Sequence, residues 1–233
     1  MRSFSGYDRL VEKIIFIERD CLITLLATVI ETPQNESFGF LLGRSSRRKV
    51  KRSLKPAIVL DMGYPLFTAE RRPSHVALGN IAAWNRVQDF LHGFSFGLTV
   101  IGEFHSHPSA GPDLSDFDLK NILLSMLEAY DRGERLPRRS WLEMVIAVNK
   151  IDIQFPKRRE WYWAERGKRL FFRVWVKGKV RYDVTIACYI IPSFFPLFRR
   201  LKEEEISNNR ILKKSLKAAQ HSIVEAKLYT RER

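Results

Sequence analysis

The hydrophobic and polar positions of the chain follow two periods, and each period predicts a different kind of element. Apolar residues at every second position, or in short blocks, are typical of strands, whereas apolar residues three and four positions apart are typical of helices. The strand pattern occurs at 13–18, 37–43, 57–62, 99–104, 141–148, 161–163, 170–176 and 180–189. The helical pattern occurs at 21–29, 76–91 and 119–127. The basic segment 44–55 lies between two predicted strands, and we interpret it as a solvated hairpin loop.

The C-terminal part of the chain carries one narrow apolar stripe, which predicts a helix over about Glu203 to Tyr229. The apolar positions alternate at steps of four and three residues: Leu212, Leu216, Ala219, Ile223 and Ala226. The stripe is too short for a self-sufficient coiled coil, so we expect it to pack on its own domain or on a second copy in a homodimer. The preceding Phe194, Phe195 and Phe198 are either core residues or a docking patch, and we favour the core.

Length and composition indicate a folded chain with ample material for a core, because 45% of its 233 residues are hydrophobic. Cys21 and Cys188 lie in apolar settings, which indicates buried free thiols and a reducing compartment. The longest uncharged run, Val184 to Phe198, is shorter than about 20 residues and contains two prolines, so we expect no membrane span. No secretory signal is visible, and we expect the protein to be cytoplasmic.

Groups able to hold a metal ion concentrate in residues 100–119. Side chains at i and i+2 of a strand point to the same face, so His105 and His107 can bind one ion. Pro108 and the turn residues after it end the strand, and Asp118 lies in the first turn of the next helix, within reach of both imidazoles. Two nitrogens and one oxygen leave the fourth position of tetrahedral zinc open, as in catalytic sites. We therefore predict one Zn²⁺ per chain, bound by these three residues.

Neighbouring residues offer alternatives to parts of this site. Asp113 and Asp116 are rival carboxylate ligands to Asp118. Glu103 lies on the same strand face as the two histidines and is a candidate for the base of a hydrolytic reaction. Ser115, three residues before Asp118 and ahead of an apolar run, is also typical of a helix-capping residue. The residues alone leave these alternatives open.

Two separated motifs resemble the signature of a known family. The pattern His105-x-His107-Pro108, six residues, Ser115, two residues and Asp118 matches every fixed position of the JAMM (MPN-plus) zinc metalloprotease signature. Upstream, the segment 36–43 is similar to the family's E-x-x-G-x-L-x-G segment. The resemblance implies that the glutamate of that segment, Glu36, acts first as general base and then as general acid. It also implies that the serine hydroxyl hydrogen-bonds the oxyanion of the reaction.

The resemblance further implies an α/β MPN (JAMM) fold, a mixed central sheet flanked by helices, with the motif core at about residues 8–155. We expect a C-terminal strand-and-helix extension of this core, with further strands up to residue 190. The metalloprotease domain then covers 1–190, and a basic C-terminal helical extension covers 191–233. The implied activity is that of a deubiquitinase-like peptidase or isopeptidase that cuts after the C-terminus of a ubiquitin-like protein. No long insertion interrupts the motif region, which favours the compact prokaryotic-type members. A non-enzymatic MPN scaffold is the opposing class, but such members typically lack these ligands.

A net charge of +14 adds a second functional class, nucleic-acid binding. Trp161 and Trp163 near Arg158 and Arg159 could supply stacking and phosphate contacts. The sequence contains no recognised nucleic-acid module, so we favour an acidic protein partner. Complementary charge would speed the encounter of such a partner with the chain. The basic residues cluster in the segments 44–55, 157–181 and 199–233.

Overall fold

The computed structural model describes residues 14–50, 52–66, 98–133, 140–154, 161–176 and 180–230, with short stretches at 70–71, 76–77, 86 and 89–90. The N-terminal elements are β1 (Ile14–Ile17), α1 (Arg19–Glu31), β2 (Phe38–Val50), β3 (Ser53–Pro65), β4 (Glu70–Arg71) and β5 (Val76–Ala77). The central elements are β6 (Thr99–Pro108), α2 (Asp116–Asp131), β7 (Trp141–Asp152), β8 (Trp161–Arg166), β9 (Arg169–Val176) and β10 (Val180–Ile191). The C-terminal elements are α3 (Phe195–Glu203), α4 (Asn208–Ser222), β11 (Val224–Glu225) and β12 (Lys227–Thr230).

One mixed sheet contains most of the strands, in the order β12-β1-β3-β2-β6-β7-β10-β9-β8, and β11 pairs with β10 off this path. β1 is parallel to both of its neighbours and β6 is parallel to β7, whereas the remaining neighbours are antiparallel. The two ends of the order approach each other, because the amide of Leu228 in β12 donates to the carbonyl of Lys168, between β8 and β9, at 3.2 Å. The sheet is therefore curled into a nearly closed, barrel-like form.

The main hydrophobic core fills the inside of this curl, and α1 packs into it through Cys21, Leu25 and Val29. Strands from both halves of the sheet contribute to the same cluster, because alternate residues of each strand face inward. The fully buried inward residues include Ile15, Leu41, Leu60, Phe104, Leu142, Met144, Ile146, Val184, Ile186 and Leu228. This continuous core holds β6 and β7, the central strands, in fixed register.

A second cluster joins α2, α3 and α4 to the end of β10. Leu123 of α2, Ile211 of α4 and Ile191 of β10 are fully buried in it. Phe194 and Phe198 are also buried there, so the interpretation of these two residues as core is confirmed. This cluster anchors α2, whose N-terminus carries Asp118, against the sheet.

The predicted fold class, an α/β MPN fold with a mixed sheet flanked by helices, is wrong. The described residues form a mostly-sheet structure in which one mixed sheet curls towards closure, with only four helices among them. Part of the error lies in the segment 44–55, which was expected to be a loop. There β2 and β3 remain paired out to Val50 and Ser53, and exposed basic residues alternate with less exposed ones along the strands. The charge of this segment concealed its strand period.

The predicted helix over Glu203 to Tyr229 is wrong at both ends. The described chain turns between α3 and α4, and it continues after α4 as β11 and β12. The β-branched Ile223 and Val224 favour extended structure, and strand pairing with β10 and β1 outweighs the helical spacing. Leu212 and Leu216 pack against the helices of their own chain, and a homodimer through this helix stays a prediction.

Cys21 and Cys188 are buried free thiols, as predicted. Over the stretches that the structure describes, no helix is both long and apolar enough to cross a membrane. The predicted helix 76–91 is wrong at its start, because Val76–Ala77 is the strand β5. Most of its remaining residues lie outside the described ones, as do Arg158 and Arg159. Predictions that rest on those positions stay predictions.

Candidate metal centre

Strand β6 divides its side chains between the inner core and a polar outer face. Phe104 points inward and is completely buried, whereas His105 and His107 lie on the opposite face and are only 8% and 9% exposed. In the sheet register, His105 lies between Phe38 of β2 and Val145 of β7. Both imidazoles are therefore held by a central strand that is paired on each side.

The imidazole nitrogens converge with the carboxylate of Asp118. His105 Nε2 lies 3.0 Å from His107 Nε2. Asp118 Oδ1 lies 3.7 Å from His105 Nε2, and Asp118 Oδ2 lies 3.5 Å from His107 Nε2. A tetrahedral zinc ion with bonds of about 2.0–2.2 Å separates neighbouring ligand atoms by roughly 3.3–3.5 Å. His105, His107 and Asp118 thus lie close enough together to hold a metal ion.

A capping box at the start of α2 fixes the carboxylate of Asp118. The amide of Asp118 donates to Ser115 Oγ at 3.1 Å, and the amide of Ser115 donates to Asp118 Oδ2 at 2.8 Å. The Ser115 hydroxyl also donates to Asp118 Oδ2 at 2.6 Å. Ser115 is therefore a helix cap that also orients the third candidate ligand, and its catalytic role stays a prediction.

Two further groups orient the imidazole rings. His105 Nδ1 and Glu143 Oε1 are 2.7 Å apart, and His107 Nδ1 donates to the carbonyl of Gly111 at 3.0 Å. These partners occupy the Nδ1 atoms and leave both Nε2 atoms directed towards Asp118. Partners of this kind fix the tautomer and orientation of metal-binding histidines, and a carboxylate partner also strengthens the ligand.

Glu143 is the residue of the site that the sequence analysis missed. It is 2% exposed, and within the described part of the chain its second oxygen, Oε2, has no hydrogen-bond partner. A signal was present, since Glu143 is the one charged residue in the otherwise apolar segment 141–148. A buried carboxylate requires a partner, and here the partner is an imidazole.

The charges of the cluster are strongly coupled. Burial lowers the pKa of His105, but its interactions with Asp118 and Glu143 outweigh this effect and raise the pKa to about 10. The interaction with Asp118 also raises the pKa of His107. Burial acts to raise the pKa of Asp118, yet the two histidines hold it well below its usual value. Protons therefore compete with a metal ion for this site, and metal affinity should increase with pH.

Glu36 lies two residues before β2, and its carboxyl is close enough to the cluster for the charges of His105, His107 and Asp118 to affect its pKa. The amide of Ser106 donates to the carbonyl of Ser37 at 2.9 Å, and the amide of Ser37 donates to Ser106 Oγ at 2.7 Å. These bonds continue the β2–β6 pairing beyond the strand and bring Glu36 towards His107. Burial raises the pKa of the Glu36 carboxyl, and the two site histidines act in the opposite direction. A half-buried carboxylate with a raised pKa next to a metal site is suited to proton transfer.

The two rival ligands are directed to other partners. Asp113 accepts a hydrogen bond from Arg169 at 2.6 Å, and Asp116 accepts one from Gln220 at 3.2 Å. Both side chains are exposed, and neither belongs to the group of converging ligand atoms found among the described residues. The choice of Asp118 by motif spacing agrees with this geometry.

The rival base, Glu103, lies on the same face of β6 as the histidines. It pairs in register with Glu143, and burial together with the charge of Glu143 raises its pKa to about 8. Its position is further from His107 along the strand, whereas Glu36 approaches from the neighbouring strand. Both carboxyls thus remain near the histidines, and a comparison of their variants can identify the base.

No protein-family model matches the chain, and no curated protein matches it. Among solved structures, the chain is similar to the solution structure of protein DSY2949 from Desulfitobacterium hafniense. The two are 14% identical, with a TM-score of 0.45 and 94% of each chain covered. A likeness at this level identifies no family, so the chemistry of the cluster has to be inferred from its own residues.

Proposed function

We propose that the protein is a zinc-dependent peptidase or isopeptidase that hydrolyses the bond after the C-terminus of a ubiquitin-like protein. The observation that carries this proposal is the convergence of His105, His107 and Asp118, with the carboxylate of Glu36 next to them. The spacing of these residues, which resembles the JAMM signature, supports the reaction and the substrate class. The proposal does not need an MPN fold, because function depends on the local site rather than on the fold.

The donor set fits zinc. Two imidazole nitrogens and one carboxylate oxygen are a common three-ligand set for catalytic zinc, and the distances between them need only small adjustments. When bound, zinc supplies Lewis-acid polarisation of a carbonyl and lowers the pKa of water to about 7. Glu143 and the Gly111 carbonyl hold the two imidazoles in the required orientation.

Glu36 takes the proton from the attacking water and returns it to the leaving amine. Its raised pKa makes it a stronger base than an exposed glutamate, and proton transfer of this kind contributes about 10²–10⁴-fold to the rate. The Ser115 hydroxyl would donate to the developing oxyanion by turning its single proton away from Asp118 Oδ2, to which it donates in this structure. By analogy with other hydrolases, such a contact is worth about 2.7–4 kcal/mol.

The test combines metal analysis with hydrolysis of fusions in which ubiquitin-like proteins precede a reporter. We expect about one zinc per chain in the wild type. His107→Ala should lose both metal and activity, whereas Glu36→Gln should keep the metal and lose about 10²–10⁴-fold in kcat. Asp116→Asn is the matched ligand control, because it removes a carboxylate from the same helical turn outside the cluster.

Two results would contradict the assignment. Equal metal content in the wild type and His107→Ala would show that these residues are not the ligands. Full activity of Glu36→Gln together with an inactive Glu103→Gln would transfer the role of base to Glu103.

A further inference from the structure

An open cleft lies on β8 and β9, away from the metal centre. It encloses about 550 Å³ and is lined by Trp161, Tyr162, Arg166, Arg173 and Trp175. Trp161 is 71% exposed and Tyr162 is 49% exposed, which is unusual for aromatic side chains of a folded domain. Large exposed aromatic groups next to arginine are typical of binding surfaces.

The cleft has an excess of positive charge. Arg173 and Arg181 share a single carboxylate, that of Asp183. The guanidinium carbon of Arg166 lies 4.2 Å from the ring centroid of Phe171, and within the described residues Arg166 forms no ion pair. Two guanidinium groups therefore line the cleft, and among the described residues only that of Arg173 is paired with a carboxylate, so a ligand with carboxylates would complement them.

The register of the sheet places Tyr162, Arg166, Arg173 and Trp175 of this cleft on the same face as the metal centre. Laterally paired residues share a face, and the pairs His107–Ala147, Ala147–Thr185 and Thr185–Phe171 form one row across the sheet. Phe171, below Arg166, is thus three strands from His107, which corresponds to roughly 14 Å at the usual strand spacing. An extended polypeptide spans that distance with about four residues.

β8 is also the last strand of the sheet order, so among the described strands one of its edges is unpaired. An extended polypeptide can add to such an edge through backbone hydrogen bonds, while neighbouring pockets select its side chains. A nucleic acid can stack on the aromatic rings, but it cannot extend the sheet. The edge position therefore favours a polypeptide ligand.

We propose that this cleft binds an extended acidic segment of the protein substrate, about four residues or more from the bond that is cut. This inference rests on the proposed peptidase function in one respect, namely that the acidic segment belongs to the protein substrate. Binding to the cleft itself is independent of hydrolysis, so the two proposals can fail separately.

The experiment measures binding of a fluorescein-labelled peptide of alternating glutamate and tyrosine to the full chain. The comparison ligands are the same peptide with glutamine in place of glutamate, and single-stranded oligothymidylate. Arg166→Gln should weaken binding of the acidic peptide about tenfold, because a hydrogen bond to a charged group is lost. Arg47→Gln is the matched control, since it removes an equal charge from an exposed position of β2.

Equal weakening by Arg166→Gln and Arg47→Gln would overturn the proposal, since it would reduce the effect to net charge. Tighter binding of oligothymidylate than of the acidic peptide would overturn it in favour of nucleic acid. In the hydrolysis assay, Arg166→Gln should raise KM for an acidic ubiquitin-like fusion and leave kcat unchanged. If no fusion is cleaved but the peptide binds as expected, the proposed peptidase function is wrong, and the cleft remains a binding site for acidic peptides.

Discussion

The inner faces of β6 and β7 are mostly apolar, whereas their outer faces carry charged and titratable groups beside the buried Val145 and Ala147. Their inward residues, Phe104, Leu142, Met144, Ile146 and Val148, are apolar and at most 1% exposed. Their outward residues include Glu103, His105 and His107 of β6 and Glu143 of β7, whose charges affect one another's pKa values. The two faces are built from alternate residues of the same short segments, so each segment supplies both stability and chemistry.

This difference shows how tightly the register of the sheet is constrained. A slip of one residue in β6 would turn Phe104 outward and carry Glu103, His105 and His107 into the core. Burial of unpaired charges costs several kcal/mol, so such a slip is strongly disfavoured. The apolar face therefore fixes the position of the polar face.

The largest expected effect comes from breaking the inner face. Phe104→Ala should lower the free energy of unfolding by about 3–5 kcal/mol, because it leaves a cavity in a close-packed core. The packing there is tight, since a Cβ built on Gly39 would lie 2.5 Å from the Phe104 ring. Urea unfolding measures the change, and Phe117→Ala, at a 57% exposed position, is the matched control. Similar losses in both variants would contradict the division into two faces.

A smaller effect is expected from the outer face. Glu143→Gln should weaken metal affinity about 10–100-fold, because the amide no longer strengthens His105 as a ligand. Competition with a chelator gives the affinity. Glu103→Gln serves as the control, since Glu103 neighbours Glu143 on the same face but makes no described hydrogen bond to a histidine. If both variants bind metal equally well, the contact between Glu143 and His105 does not support the site.

The smallest effect is expected where the outer face meets α2. Ser115→Ala should lower the free energy of unfolding by about 1 kcal/mol through loss of the cap. Ser115→Thr keeps a hydroxyl and should recover most of that stability. The same pair separates the two roles of the residue in hydrolysis assays. If kcat of Ser115→Ala falls no further than metal occupancy does, the predicted oxyanion contact is wrong.

The candidate site could largely be predicted from the sequence because its parts are local. The i and i+2 spacing of His105 and His107, and the position of Asp118 in the first helical turn, follow from strand and helix geometry. Glu143 could not be assigned in this way. Its role depends on the pairing of β7 with β6, and a sequence shows a charged residue in an apolar strand without showing its neighbour.

The overall fold was less predictable because its defining contacts are distant in sequence. Most strands were recognised from their apolar residues, but the closure of the sheet depends on pairing between Ile14–Ile17 and Lys227–Thr230. The spacing of apolar residues through Ile223 predicted a helix, whereas the β-branched side chains there and the partner strands favour extended structure. The exposed arm of β2 and β3 was missed because it buries few side chains.

The pairing of β1 with β12 also has a consequence for synthesis of the protein. All four residues assigned to metal binding and proton transfer have been translated by Asp118, whereas β12 begins at Lys227. At ordinary translation rates, the interval between them is roughly 5–20 s. Throughout that interval the β12 side of β1 is an unpaired parallel edge that can pair with other chains. The nascent protein therefore exposes this edge of β1 to other chains after all four residues of the candidate site have been translated.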